Sequence, residues 1–218
     1  MAQQAYTPAA GRLIPISVYD RLLAILTRER TWRKALLEIV SPKPGDRILD
    51  VGCGTGTFAI MLKQVEPNAS IVGLDPDPEA RSIAAMKATM TGVSVEWEAG
   101  FARDADKFGK FDKVVSSLVF HQVPVAEKRA GLEAMFAAVG SGGLVSIADY
   151  ALQSHWLMRQ AFRIVQATDG RDDTQPNAEG FLEEALSRMC GRDVMADTTI
   201  DTPTGTISIF GVRVHRSE

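Results

Sequence analysis

Residues 47–57 leave the backbone little choice of course. Arg47-Ile48-Leu49-Asp50-Val51 is an apolar run of strand length, and Gly52-Cys53-Gly54-Thr55-Gly56 follows it directly. Glycine admits the left-handed backbone of a sharp turn and lets another molecule approach the chain closely. A strand that turns abruptly into a helix is the repeating unit of parallel α/β sheets. The turn also has a chemistry. Loops of this kind bind phosphates, because free backbone N–H groups and a helix N-terminus attract anions. Here Asp50 sets a carboxylate at the mouth of the turn. That charge repels a pyrophosphate and suits a ligand with a positive group. The dinucleotide fingerprint asks for Gly-x-Gly-x-x-Gly; with glycines at 52, 54 and 56 and Thr57 after them, this chain departs from it.

Ser70-Ile71-Val72-Gly73-Leu74-Asp75 reads as a second buried strand ending in an acid. It lies about 20 residues beyond the glycines, where a carboxylate accepts from both vicinal hydroxyls of a ribose. Asp75 alone could serve as a helix cap or turn residue before Pro76; paired with Asp50 at this spacing, the ligand-binding reading is favoured. The two acids together call for a nucleoside with a cationic tail and no phosphate. S-adenosylmethionine, with its adenosine, ammonium, carboxylate and sulfonium, meets that description.

Strands and helices alternate around this turn. The pattern predicts strand 47–51, helix 57–65 stopped by Pro67, strand 70–75, helix 78–90 ended at Gly92, strand 93–98, strand 112–117, helix 126–139 and strand 143–149. Such alternation implies parallel pairing. Upstream, a loosely ordered arm at 1–14 is expected to lead into helices 16–27 and 31–40. Downstream, the reading is a helix over 152–169, a polar loop 169–174, and a helix 178–190 capped by Asn177 and ended by Gly191. Strands 193–201 and 205–214 are joined by Thr202-Pro203-Thr204-Gly205, too short for a crossover helix, so they pair antiparallel. The expected fold is α/β: a Rossmann-like, doubly wound seven-stranded sheet, mostly parallel, with a C-terminal antiparallel hairpin strand, N-terminal helices and a helical lid. One domain is expected, divided into a cap (1–45), a cofactor-binding core (46–150), a lid (151–192) and a terminal hairpin (193–218).

A chain of 218 residues is one domain by length. Apolar runs fall short of the ~20 residues that span a bilayer, and the first residues lack the pattern of a signal peptide. Two cysteines, Cys53 and Cys190, make no disulfide framework, and a cytoplasmic protein with reduced thiols is expected. The net charge is −3 and no run of Lys and Arg stands out, which disfavours nucleic acid as a partner. No His, Cys, Asp or Glu group has metal-ligand spacing.

Ile48-Leu49-Asp50-Val51-Gly52-Cys53-Gly54-Thr55-Gly56 resembles the first motif of the class I S-adenosylmethionine-dependent methyltransferases almost letter for letter. Gly73-Leu74-Asp75 resembles their acidic second-strand loop, Phe111-Asp112-Lys113-Val114-Val115-Ser116-Ser117 their fourth-strand motif, and Ser141-Gly142-Gly143-Leu144-Val145 their turn into the fifth strand. The resemblance covers about residues 17–214 and is nearest to the small-molecule branch of ubiquinone and menaquinone biosynthesis. It implies that Asp50, Gly52, Cys53 and Gly54 hold the methionine end and approach the ribose. It implies that Asp75 binds the ribose hydroxyls with Pro76 against the adenine, and that Gly100 and Phe101 lie in the adenine loop. Many relatives carry an acid after that glycine; Phe101 stands there, which points to backbone and apolar recognition, unless it is a packing residue. Ser117 and Leu118 would lie by the sulfonium. Tyr19, in a Val-Tyr-Asp stretch, resembles the helix that closes over the cofactor; its plainer reading is a half-buried helix tyrosine.

The implied reaction is methyl transfer to a small-molecule acceptor. Alignment and water exclusion supply much of such an acceleration, and a base is needed only where the acceptor must lose a proton. His121, after the fourth strand, is the candidate base, with shaping of the cleft as its plainer role. His155 and Asp149 read as structural, and His215 as exposed. Trp156, Met158 and Phe162 offer apolar surface for an acceptor, although such spacing also suits simple core. A nucleic-acid or protein methyltransferase and a non-catalytic cofactor-binding protein are the alternatives. Ser116-Ser117-Leu118-Val119 differs from the Asn/Asp-Pro-Pro-Tyr/Phe segment of base-amino methyltransferases. Oligomeric state, acceptor and the atom methylated are not encoded in any motif.

Overall fold

A computed structural model of the chain describes residues 27–214. The helix expected at 16–27, with Tyr19, and His215 lie outside the described residues, but for Thr27. In chain order the elements are α1 (Glu29–Val40), β1 (Arg47–Val51), α2 (Thr57–Val65), β2 (Ser70–Asp75), α3 (Pro78–Met90), β3 (Glu96–Ala99), β4 (Phe111–Ser117), α4 (Val125–Ala138), β5 (Val139–Tyr150), α5 (Trp156–Asp169), α6 (Arg171–Ala178), α7 (Phe181–Cys190), β6 (Thr198–Thr202) and β7 (Gly205–Arg213). Short 3₁₀ helices at Ala102–Phe108 and Phe120–Gln122 flank β4.

The strands form one sheet in the order β3-β2-β1-β4-β5-β7-β6. β1 to β5 pair in parallel, and β7 runs antiparallel to both β5 and β6. This is the expected Rossmann-like sheet with one reversed hairpin strand. The order reverses between β1 and β4, and ligands of open α/β sheets bind beyond the strands' carboxyl ends at such a point. The register aligns those ends: Val51 pairs with Leu74 on one side and Ser116 on the other.

Period-two alternation assigns each strand residue to a layer. Leu49, Val51, Val114 and Leu74 face a core closed by α4 and α7 through Leu132, Met135, Leu182 and Leu186. Ile48, Ile71 and Val115 face the opposite core, filled by Trp32, Leu36, Phe58, Leu62 and Phe162. Asp50 sits two residues beyond Ile48, on this second face, beneath the helices.

Several boundaries differ from the expectation. The polar loop at 169–174 is mostly helix α6, and Asn177 lies inside it rather than capping the next helix, which starts after Gly180 (φ 99°). β3 begins at Glu96, α5 at Trp156 and β6 at Thr198, each later than expected. β5 begins earlier, because Val139 already pairs with Phe111 across a register shift in β4.

Candidate active site

β1 carries Asp50 to the rim of the sheet, and the glycine turn is stitched to the end of β2. Gly52 N and Cys53 N both donate to Leu74 O, at 2.7 and 3.1 Å. Gly52 has φ 70°, and a Cβ on it would lie 2.2 Å from Val119 Cγ2, so conformation and close packing both exclude a side chain. Gly54 has φ 51°, but nothing lies within 4 Å of where its Cβ would be. Its backbone therefore borders open space, an approach route for a ligand. Cys53 turns its buried side chain back toward β2, with Sγ 2.9 Å from the place of a Gly73 Cβ. Burial first, then Asp50 and Asp75, push its thiol well above the ordinary range, so this sulfur is not a reactive thiolate.

Asp50 is 1% exposed, and neither carboxylate oxygen has a hydrogen-bond partner among the described residues. Burial raises its pKa to about 7; the positive charge of Arg33 and the nearby Ala59 N–H offset part of this, and Asp75 adds to it. Arg33 itself is paired with Glu29 at 2.6 Å. A buried carboxylate without a well-formed hydrogen bond is costly, and a ligand ammonium would supply what it lacks. The donor set thus fits the cationic methionine end of S-adenosylmethionine.

Asp75 is fixed by the backbone. Its Oδ2 accepts from Gly54 N at 2.8 Å and its Oδ1 from Asp77 N at 2.9 Å. Each oxygen retains acceptor capacity, since a carboxylate oxygen accepts more than once. Burial raises its pKa in spite of these bonds. Arg81 of α3 donates to Asp75 O, and Gly100 N reaches the same carbonyl at 3.4 Å, so the adenine-side loop closes on the acid. Pro76 is half-buried beside it. Phe101 is half-buried, with the Arg103 guanidinium 4.3 Å from its ring centroid, and its N–H donates to Asp104 Oδ2 at 3.0 Å.

The β4 side of the cleft begins at half-buried Ser117. Leu118 adopts φ 54°, rare for a bulky residue, and its N–H donates to Ala148 O at 2.9 Å. Strained backbone of this kind clusters at functional sites. Asp149, at the end of β5, holds the turn that follows: Oδ2 accepts from Val119 N (3.0 Å) and Phe120 N (2.6 Å), and Oδ1 from Tyr150 N (2.8 Å). His121 Nδ1 lies 2.7 Å from Asp149 Oδ1 and Nε2 lies 3.3 Å from Asp169 Oδ2. Burial alone would push the His121 pKa down; the two carboxylates outweigh it and raise it to about 9. Both ring nitrogens of His121 thus face carboxylates inside the protein, which suits the plainer of its two expected roles, shaping the cleft.

The expected residues at 50, 52–54, 75–76, 100–101 and 117–118 thus lie along one rim, at the ends of β1 to β4. Of the apolar lid residues, Phe162 is core, packed 5.1 Å from the Tyr150 ring, while Trp156 is 69% exposed. Sequence reasoning missed Val119 against Gly52, Arg33 beside Asp50, and the roles of Asp169, Lys128 and Asn177 in the network around His121. Only proximity in the fold reveals these. Among the described residues no helix is long and apolar enough to cross a membrane, and no group of three His, Cys, Asp or Glu is placed to hold a metal ion.

A family model described as a methyltransferase domain matches residues 48–143. The demethylmenaquinone methyltransferase of Deinococcus radiodurans is 32% identical over 149 residues, covering 67% of this chain and 61% of that protein. The demethylmenaquinone methyltransferase of Thermus thermophilus is 31% identical over 135 residues, 61% of this chain and 60% of that protein. The chain spans about six-tenths of the length of these curated relatives. Among solved structures, magnesium protoporphyrin IX methyltransferase from Synechocystis with bound SAH aligns over 94% of this chain and 90% of its own, with a TM-score of 0.64 at 16% identity. An O-methyltransferase family protein from Burkholderia thailandensis aligns over 89% of this chain and 58% of its own, with a TM-score of 0.66 at 16% identity. At those identities the likeness is one of fold. Motif, sheet order and sequence relatives coincide: the chain belongs to the class I S-adenosylmethionine-dependent methyltransferases.

Proposed function

We propose that this protein transfers a methyl group from S-adenosylmethionine to a small-molecule acceptor in the cytoplasm. The observation that carries the reading is the buried, unpartnered Asp50 carboxylate beneath a glycine turn whose Gly54 borders open space. When bound, the cofactor supplies a methyl group on a sulfonium, open to in-line displacement. Asp50 receives the ammonium, Asp75 the ribose hydroxyls, and the Gly52–Gly54 backbone the closest approach of the ligand. Pro76, Gly100 and Phe101 border the adenine, and Ser117 and Leu118 the reacting end. Tyr19 remains assigned to the closing helix on the resemblance alone. His121 shapes the turn from inside the protein.

The relatives named for demethylmenaquinone favour an apolar, quinone-like acceptor, and α5 with α6 form the segment beside which it would enter. Its exposed Trp156 and half-buried Met158 offer apolar surface there. The test is transfer of labelled methyl from S-adenosylmethionine into a metabolite extract, with RNA and protein fractions run in parallel. Label in small molecules is the expected result. Label in RNA or protein moves the acceptor to a macromolecule. Tight S-adenosylhomocysteine binding without transfer makes the protein a sensor or scaffold. Binding of NADH in preference to the adenosyl donor overturns the whole reading.

A further inference from the structure

A buried polar cluster lies behind the candidate site rather than in it. His121 sits at its centre, 5% exposed. Among the described residues the charged and titratable groups around it are Asp149 from β5, Asp169 from the end of α5, the Tyr150 ring edge-on at 5.1 Å, and Lys128 of α4, which donates to Phe120 O. Asp173 of α6 adds its charge toward Lys128. The two carboxylates come from different parts of the fold. Asp149 belongs to the sheet and grips the Val119 and Phe120 backbone and the His121 ring. Asp169 is the last residue of α5, just before Gly170 (φ 89°) turns the chain into α6.

α6 has a second, separate anchor. Lys128 Nζ donates to Asn177 Oδ1 at 2.8 Å, and Asn177 Nδ2 donates to Tyr150 O at 2.8 Å. Gln153 N donates to Ala178 O at 3.1 Å. These bonds are buried. The Asp169 link is longer, and its carboxylate keeps 17% exposure, so water can replace it. One strap is therefore fixed and the other is able to open.

Resting on the methyltransferase reading, we infer that Asp169 is a positioning residue: through the His121 ring it locks the α5–α6 junction to the 117–121 turn, so the acceptor-side helices and the cofactor-side loop take up one joint geometry. Opening this latch would free α5 without disturbing the sheet. The turn that holds Leu118 and Val119 would keep its bonds to Asp149 and Ala148 but lose its tie to the helices through the His121 ring, and so fluctuate more.

The test compares wild type, Asp169→Asn and Asp169→Glu by hydrogen exchange, calorimetry with S-adenosylhomocysteine, and the imidazole signals of nitrogen-15-labelled histidine. Wild type should keep the doubly protonated His121 ring to about pH 9, and S-adenosylhomocysteine should slow exchange both in 118–122 and in 156–170. In Asp169→Asn the ring should titrate at least one pH unit lower, 118–122 should exchange about tenfold faster, and the ligand should no longer protect 156–170. Asp169→Glu should restore the coupling in part. A merely structural role would lower the melting temperature without separating the two segments. Equal ligand protection of 156–170 in wild type and Asp169→Asn overturns the latch. Should the variant fail to fold, the protection factors of 118–122 in wild type, which remove the intrinsic pH dependence of amide exchange, must fall about tenfold from pH 7 to pH 10 relative to the sheet amides; protection factors that stay flat overturn it. Failure of wild type to bind S-adenosylhomocysteine sinks the methyltransferase reading alone, because the ligand-free exchange in Asp169→Asn still decides the latch.

Discussion

Burial disfavours the charged form of Asp50. Its folded pKa, about 7 against 3.8, means that the folded protein keeps this proton where the unfolded chain has lost it. The sign follows from linkage: stability is present at low pH and is lost as pH rises from about 4 through about 7. The full shift corresponds to about 4 kcal/mol. On the proposed reading a ligand ammonium would offset that cost, and the carboxylate would turn it into affinity. Asp50→Asn removes the charge and keeps the shape. At pH 8 it should leave the melting temperature equal or higher, and it should weaken S-adenosylhomocysteine binding about 10- to 100-fold, the ~1.5–3 kcal/mol of a charged hydrogen bond. Scanning calorimetry with isothermal titration checks both; a variant that is less stable yet binds normally would show that Asp50 supports the fold and not the ligand.

α3 shows how local signals and tertiary demands meet in one element. Asp77 caps it, accepting from Glu79 N at 2.8 Å, and Pro78 follows in the first turn, where its missing N–H costs nothing. Asp77→Ala should therefore cost about 1 kcal/mol, read as a lower urea midpoint at unchanged slope. Because Asp77 N also holds Asp75 Oδ1, loosening the cap should weaken the cofactor as well. Elements of this kind were legible in sequence: the helix over 78–90, the Gly52 turn, the alternating strands and the final hairpin each carry their signal within a few residues, although the cap at Asp77 was not read. α6 was not. Arg171-Asp172-Asp173-Thr174-Gln175-Pro176-Asn177-Ala178 has polar composition and an internal proline, both loop signals. It is helical because Thr174 and Asn177 are fully buried; Thr174 bonds back to Gly170 O one turn earlier, while Asn177 bonds to Lys128 and Tyr150, partners distant in sequence. The early start of β5 has the same origin, since Val139 pairs with Phe111 on a neighbouring strand.

At the scale of the molecule, the rim of the site was readable because it is contiguous in motifs, while the charge network behind it was not, because α4, α5, α6 and β5 each contribute one or two ordinary residues. That network sets a pH dependence for the whole fold. The His121 pKa is raised from 6.5 to about 9, so its stabilisation is complete below 6.5 and is lost as pH rises through 9. Lys128 runs the other way. Burial, partly offset by Asp149 and Asp173, lowers its pKa from 10.5 to about 8. Below pH 8 the cost of burying its charge is fully present, and that cost is relieved as pH rises toward 10.5. From these two groups stability should fall between pH 6.5 and 8 and level off between pH 8 and 9, where the Lys128 gain cancels the His121 loss; above pH 9 the raised Cys53 thiol opposes the Lys128 gain. Urea midpoints measured from pH 6 to pH 9 test the shape. His121→Gln should abolish the falling limb, and Lys128→Met should extend the fall through pH 9. A curve that His121→Gln leaves unchanged would mean that the buried ions are solvated and that the network does not couple the acceptor-side helices to the sheet electrostatically.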